Sequence, residues 1–452
     1  MEFSTRAVKA MASIMVQEME RLGVAEGGIY EVEAGMREFL QAVGGEALGQ
    51  YLERADRGNG SQKSQPCPCG GSLEYQFRRR AVILSVFGRV GYKRCYYTCP
   101  SCHQGQAPLD KTLRLEAGEV TAGLAELLAL AGVEVAFEEA GRLIERFLLF
   151  RVSDNTLRKE TERFGALQAA EEASWQATSQ DTDSLQRRLW KIGPQPGRLY
   201  GSIDGTIVPL LGEWRELKCL AWYRVEALRS YQPRRHHASQ VGEQNDLQGQ
   251  DITYHCAISD PEHFGELVWA TALQRLADLH HELVFVCDGA AWIWKLIEHY
   301  FPHATQIVDW YHASQYLPPV AEAAFGADTP QAKAWLLQTR QQLWDGRIDD
   351  LIHDCQLLTP LPQAAKSAAQ AVTYFSNNHK RMDYARFRQQ GYLIGSGTIE
   401  SACKQIATLR LKRAGARWTE PGAVHTAKAR AAWLSGSWDT LAAKRAALPL
   451  AT

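Results

Sequence analysis

The stretch Leu283-Val-Phe-Val-Cys-Asp288-Gly-Ala decides how this chain is read. Five apolar residues run up to a single carboxylate, and a Gly-Ala pair then releases the chain. An unbroken β-branched and aromatic run of this length describes a strand buried on both faces. A bare acid inside such a strand is costly or shifts its pKa. Asp288 is therefore placed at the strand's exposed C-terminal end, where open α/β sheets carry their chemistry. The plainer role for Asp288 is to cap the helix that starts near Ala291.

Upstream, Leu199-Tyr-Gly-Ser-Ile-Asp204-Gly-Thr-Ile alternates, with Tyr200, Ser202, Asp204 and Thr206 on one face and Ile203 and Ile207 on the other. Strands at Leu217–Val225 and Asp251–Ile258 complete a meander, separated by a polar loop from Gln232 to Gln250 that contains Arg234-Arg235-His236-His237. A helix from about Phe264 to His280, the Asp288 strand, a helix Ala291–Tyr300 and a strand Thr305–Asp309 follow. Three meandering strands, then helix, strand, helix, strand, is the order of an RNase H-like mixed sheet. In that α/β architecture the first and fourth strands are neighbours, so Asp204 and Asp288 sit side by side. Two such carboxylates repel unless a divalent cation neutralises them, and two-metal phosphoryl transfer with Mg²⁺ or Mn²⁺ is the chemistry they suit.

From about Tyr311 to Tyr392 the pattern is helical and reads as an insertion. Gly391-Tyr-Leu-Ile-Gly-Ser-Gly-Thr-Ile-Glu400-Ser-Ala-Cys then opens a helix with the apolar stripe Ile399, Ala402, Cys403 and Ile406. Glu400 lies at the edge of that stripe, which lets it reach toward the two aspartates as a third metal ligand. Its plainer roles are an i,i+4 pair with Lys404 and an acid welcomed by the helix N-terminus; Glu298, Glu322 and Glu420 compete as third acids. Between Ser401 and Arg430 there are seven Lys or Arg against one acid. Lys404, Arg410, Lys412, Arg413 and Arg417 are candidate phosphate contacts beside the acids.

The N-terminal part reads as separate segments. Residues 1–60 repeat apolar residues at helical spacing. Cys67-Pro-Cys69 and Cys99-Pro-Ser-Cys102 flank two strand-like pieces joined at Gly88, which describes a zinc ribbon with structural Zn²⁺ on four thiolates. The first pair is one residue short of the usual knuckle, so Cys95 or His103 is the alternative to Cys69. Arg78, Arg79 and Arg80 make the hairpin basic and suit a phosphate backbone, although such a run also describes a solvated face. Phe137–Leu148, a short turn, and a helix capped by Ser153 resemble a helix-turn-helix, with Asn155, Thr156, Arg158 and Lys159 in its first turns.

The chain's 452 residues are 45% apolar, and 50 Lys and Arg balance 51 Asp and Glu. Its apolar runs are far too short to span a bilayer, and no signal-peptide pattern opens it. A cytoplasmic protein is expected, and five of the ten cysteines clustered between Cys67 and Cys102 favour metal over disulfides there.

At Ser202-Ile-Asp204-Gly, Cys287-Asp288-Gly-Ala-Ala-Trp-Ile, Asp309-Trp-Tyr-His312, Gly395-Ser-Gly-Thr-Ile-Glu400-Ser and Arg417-Trp418, the chain resembles a bacterial insertion-sequence transposase of the DDE type, most closely the ISKra4 family. The resemblance runs from about residue 65 to 435 and includes the cysteine pairs. It implies Asp204, Asp288 and Glu400 as the metal-binding catalytic triad, and Asp309-x-x-His312 resembles an Asp/Cys-x-x-His signature of Mutator-like transposases, making both residues candidate accessories. It also implies cleavage and strand transfer at inverted-repeat ends, double-stranded DNA as partner, a homo-oligomer on DNA and a nucleoid location. A structure-selective nuclease and a non-cutting DNA-binding descendant are the alternatives. The expected organisation is a helical segment to residue 60, a ribbon at 61–110, helix-turn-helix-like helices at 111–178, a catalytic domain at 195–312 and 391–435 interrupted by an insertion at 313–390, and a tail from 436.

Overall fold

A computed structural model describes residues 4–23, 28–57, 60, 62–115, 118–181, 183, 187, 191–227 and 247–448. The Arg234-Arg235-His236-His237 run lies outside them. The chain divides into two units, Met1–Phe164 with Asp439–Thr452, and Gly165–Trp438.

In the first unit, α1 (Thr5–Arg21) and α2 (Ile29–Ala55) are the expected helices. The ribbon is a sheet ordered β1 (Ser64–Pro66), β2 (Ser72–Ser85), β3 (Gly88–Thr98), β4 (Gly105–Gln106), antiparallel throughout. Its hairpin begins nine residues earlier than apolar runs indicate, at Ser72 instead of Ala81. The reason is exposure: Glu74 to Arg80 are all open to solvent, so no buried face imposes an alternating pattern on them. Ala81, Ile83, Val90 and Tyr92 pack with Leu52 of α2 and Leu109 of α3 (Pro108–Leu113). Asp110 of α3 receives the Arg94 guanidinium at 2.7 Å. The next helices are α4 (Ala122–Glu134), α5 (Phe137–Leu148) and α6 (Asp154–Thr178). As expected, the Ser153 hydroxyl accepts from the Thr156 amide, 3.2 Å away.

The second unit is built on a mixed sheet ordered β7 (Leu247–Ala257), β6 (Trp214–Ala227), β5 (Gln195–Pro209), β8 (His280–Cys287), β9 (Thr305–Val308). The first three strands form an antiparallel meander, and β8 and β9 run parallel to β5. Val284 to Cys287 are completely buried, which is why β8 reads as an unbroken apolar run. The third strand starts four residues before Asp251, because its polar first turn pairs with the exposed end of β6.

Helices α7 (Pro261–Gln274) and α8 (Ala291–Tyr300) connect the later strands. The insertion is helical as expected, comprising α9 (Trp310–Ser314), α10 (Leu317–Phe325), α11 (Pro330–Trp344), α12 (Ile348–Leu358), α13 (Ala365–Asn378) and α14 (Tyr384–Gln389). The chain returns to the sheet through α15 (Gly397–Cys403), one π-helical stretch Lys404–Thr408, and α16 (Glu420–Leu434). The C-terminal segment carries a helix, α17 (Trp438–Ala447), and within the first unit its Arg445 pairs with buried Glu160 at 3.4 Å. Among the described residues, no helix is long and apolar enough to cross a membrane.

One buried polar network holds the second unit's edge. Glu172, on the later part of α6, accepts from Lys428 of α16 and lies 2.9 Å from His255 of β7. All three are at most 7% exposed. Burial works to raise the Glu172 carboxyl, but Lys428 and His255 outweigh it and hold the group down at about 2. The backbones here touch closely, since a Cβ on Gly165 would lie 1.8 Å from the His425 carbonyl oxygen. Removing only Lys428 leaves a buried unpaired charge, so Lys428→Ala is expected to cost about 3–5 kcal/mol in denaturant unfolding. Because Glu172 is depressed in the folded state, its contribution is present above its unfolded value of about 4.3 and is lost as pH falls toward the folded value. Acid unfolding should therefore begin at higher pH in wild type than in Glu172→Gln once both are referred to their stability at pH 7; parallel acid curves would remove this role.

Candidate metal and active site

The cysteine cluster is assembled by two backbone turns. The Cys67 amide donates to the Gly71 carbonyl and the Gly70 amide to the Cys67 carbonyl, while the His103 amide donates back to the Cys99 carbonyl. The four sulfurs of Cys67, Cys69, Cys99 and Cys102 lie within 4.8 Å of one another. Neighbouring pairs are 3.4, 3.6 and 3.7 Å apart. A tetrahedron of Zn–S bonds of about 2.3 Å would set S···S near ~3.8 Å, so the group fits a structural metal such as zinc. The shortened Cys67-Pro-Cys69 knuckle works because Gly70, at φ 87°, turns the chain immediately after Cys69. Cys69 supplies the fourth sulfur of the group, which neither Cys95 nor His103 joins among the described residues. Cys95 lies outside the group, its amide donates to buried Asp56, and burial pushes its thiol up to about 11. In the cluster, amide donors from Cys102 and Ser101 outweigh burial and lower Cys99 to about 6, which favours a thiolate at neutral pH.

In the second unit, strand register places the acids. Gly201 of β5 pairs with Phe285 of β8, and Cys287 of β8 pairs with Val308 of β9. Asp204 and Asp288 each lie three residues beyond their paired glycine and phenylalanine, so they end level on strands about 4.8 Å apart. Asp309 follows Val308 and is level with Asp288. Asp288 and Asp309 therefore stand just past the C-terminal ends of β8 and β9, level with Asp204, which lies inside the longer β5.

Their surroundings differ. Asp204 and Asp288 are half-buried and reach solvent, whereas Asp309 is completely buried. Burial pushes the Asp204 carboxyl up and the charge of Asp288 adds to this, against the Gly205 amide, the Cys403 thiol and His312. Burial likewise raises Asp288, with Asp309 and Glu216 adding and the Ala290 amide and His312 opposing. The Asp288 carboxylate accepts from the Ala290 amide at 3.0 Å, in the turn before α8, whose N-cap is Ala290 and carries no side-chain cap. Asp309 takes the His312 amide at 2.6 Å, the His312 Nδ1–H at 3.0 Å and the Ser396 amide. That bond to Asp309 outweighs burial and raises His312 to about 9, with the charges of Glu400 and Asp288 adding.

Glu400 sits on α15, whose stripe Ile399, Ala402, Cys403 and Ile406 is buried as expected. Its carboxylate faces His312 Nδ1 at 3.9 Å, and no ion pair with Lys404 forms among the described residues. Asp309, His312 and Glu400 bring ligand atoms within 4.8 Å of one another, whereas Asp204, Asp288 and Glu400 do not close to that distance. Glu400 remains linked to the pair through α15, since Cys403, one turn along, contacts Asp204. Asp309 spends its oxygens on three N–H donors, so Asp204, Asp288 and Glu400 are the carboxylates with oxygens left for a cation. Hard oxygen donors of this kind suit Mg²⁺ or Mn²⁺.

The expected phosphate contacts separate into two groups. Lys404 and Arg417 are exposed, Arg413 is half-buried, and Lys412 donates to the Thr206 hydroxyl at 2.6 Å, two residues beyond Asp204. Arg410 is a correction: it is 2% exposed, stacks 5.0 Å from the Trp418 ring, and burial lowers it to about 9. Its position on the buried side of the π-helical stretch removes it from any surface. Arg158 is held by Glu162 and Asn155, which leaves Lys159 as the exposed cation of that helix start. Arg78 is tied to buried Asp56 at 3.6 Å.

Sequence reasoning passed over Glu216, whose carboxylate lies against Gly205 and raises Asp288. Its alternation with Lys218 on β6 was the available signal. It also passed over Cys403 as a neighbour of Asp204, because a cysteine in an apolar stripe reads as core. No protein-family model matches the chain, and no curated protein matches it in sequence.

Two outcomes are expected. Purified protein should carry about one zinc per chain, and Cys69→Ser should lose it together with the ribbon's fold; zinc retained in that variant would return the fourth position to Cys95 or His103. Asp309→Asn presents an amide donor to amide donors, and should lower stability by about 1–3 kcal/mol in thermal or denaturant melts. An unchanged melt would show that Asp309 does not organise the site.

Proposed function

We propose that the second unit is an RNase H-like catalytic domain performing metal-dependent cleavage and transfer of DNA strands, as a DDE transposase does. The observation that carries this reading is the level placement of half-buried Asp204 and Asp288 on adjacent parallel strands, both raised chiefly by burial. Supporting it is Glu400, brought to the same end of the sheet by a helix packed on β5 and β6. Perturbed carboxyls gathered at strand ends mark functional sites more often than structural ones.

In this reading Asp204, Asp288 and Glu400 would hold divalent cations, which when bound would supply charge neutralisation at the phosphoryl oxygens and activation of the attacking water. A water oxygen attacks phosphorus in line, the bond to the 3′ oxygen breaks, and a 3′-OH end is left. That hydroxyl then attacks a phosphodiester of a second DNA. Asp309 fixes His312 and the start of α15, so Glu400 approaches without a costly rearrangement. Lys404, Lys412, Arg413 and Arg417 supply the charge that holds the bound strand's phosphates. The four-cysteine ribbon and the α5–α6 pair, read as a helix-turn-helix, would provide further DNA contacts.

The test is incubation with labelled element-end DNA and Mg²⁺, followed by analysis for 3′-OH ends and joined products. Asp204→Asn and Asp288→Asn should abolish cleavage while leaving DNA affinity equal or slightly tighter. Cleavage by either variant at near wild-type rate would refute the assignment. Glu400→Gln should slow cleavage by about two orders of magnitude or more, since a metal ligand supplies several kcal/mol. If Glu400 serves only the helix surface, the rate stays unchanged and stability shifts by ~0.3–0.5 kcal/mol.

A further inference from the structure

The hairpin of the first unit leaves one aromatic cluster outside its core. Two tyrosines of β3, Tyr92 and Tyr97, are buried at 1% and 0% exposure, yet Phe77 on β2 is 56% exposed. A β-bulge explains how it gets there. Tyr75 pairs with Tyr97 and Phe77 with Tyr96, so Gln76 is the extra residue between them. In a ladder with Gln76 paired, Phe77 would share the face of Tyr75 and the cysteine cluster; with Gln76 bulged out, the ring is re-aimed to the opposite face. There its centroid lies 6.2 Å from Tyr96, and the Arg79 guanidinium lies 4.9 Å from the same Tyr96 ring. Tyr96 is itself pinned, since a Cβ on Gly105 would lie 1.8 Å from its hydroxyl. Phe77 and Arg79 thus stand as two flat groups on a fixed third ring.

Charge selects the occupant. The two strands carry six Lys or Arg and one acid, Glu74. Arg78 and Arg94 are taken by Asp56 and Asp110. Arg79, Arg80, Arg89 and Lys93 form no ion pair among the described residues. A protein partner would need a broad apolar centre, and one exposed phenylalanine beside the Arg79 cation does not make one. A duplex keeps its base faces stacked on each other and offers this cluster only its edges. An unpaired strand offers both a phosphate chain and open base faces.

We propose that Phe77, Arg79 and Tyr96 form a stacking site for unpaired nucleobases of a DNA strand, with the Arg79 guanidinium supplying positive charge beside them. The inference rests on the DNA reading above, but not on its chemistry. It would place the ribbon on the single-stranded portion of a substrate rather than on paired DNA.

The experiment uses full-length, zinc-loaded protein and a duplex with or without an unpaired tail of about ten nucleotides carrying 2-aminopurine, within the span that such sites cover. The tail should tighten binding about five-fold or more, and stacking should quench the 2-aminopurine fluorescence. Phe77→Ala should lose both effects with zinc content unchanged, Phe77→Trp should keep them, and Arg79→Ala should weaken them as an independent check. A tail that adds no affinity, or quenching that survives in both Phe77→Ala and Arg79→Ala, would overturn the site. Asp204→Asn separates the two readings, because it should lose cleavage yet keep the tail preference and the quenching.

Discussion

The buried carboxylate of Asp309 is the constraint on which the second unit's site depends. An isolated buried charge is expensive, and this one is offset by the His312 amide, the His312 ring and the Ser396 amide. Those donors come from segments more than eighty residues apart in sequence. One group thereby fixes the end of β9, the first turn of α9 and the start of α15. The long helical insertion between His312 and Ser396 can be accommodated because both of its ends are tied at this point.

From that anchor the division of labour among the acids follows. Asp309 accepts three N–H donors and serves geometry. Asp204 and Asp288 each accept one neighbouring amide and remain raised, chiefly by burial. His312 supplies positive charge, standing near Glu400 and within the field of both aspartates. The same strand-end residue types thus carry different roles, and burial together with donor count separates them.

The two cysteine and acid centres also contrast in their chemistry. Four soft sulfurs at closely matched separations make a closed site with no position left for substrate. The carboxylate row is open to solvent on one side and offers hard donors. The first arrangement suits a scaffold for the basic hairpin, and the second suits a reacting phosphate. Basic residues near both were visible as charge runs, but the run did not distinguish Arg410, buried over Trp418, from exposed Arg417.

Much of this was legible in the sequence where a physical requirement acts locally. The apolar run into Asp288 determined a buried strand, helical periodicity determined α8 and the insertion, and the paired cysteines determined a cluster of sulfurs that could hold a metal. The stripe Ile399, Ala402, Cys403 and Ile406 determined which side of α15 is buried. Only the tertiary structure decided that Cys69 completes the cysteine group, because sulfur convergence depends on how two distant turns meet. Only it decided that Glu400 faces His312, that Glu216 lies beside Asp288, and that a bulge at Gln76 turns Phe77 outward. Periodicity records which face of an element is apolar; it carries no information on which distant polar groups that element's exposed edge will meet, since those meetings are set by strand register and by buried hydrogen bonds such as those of Asp309.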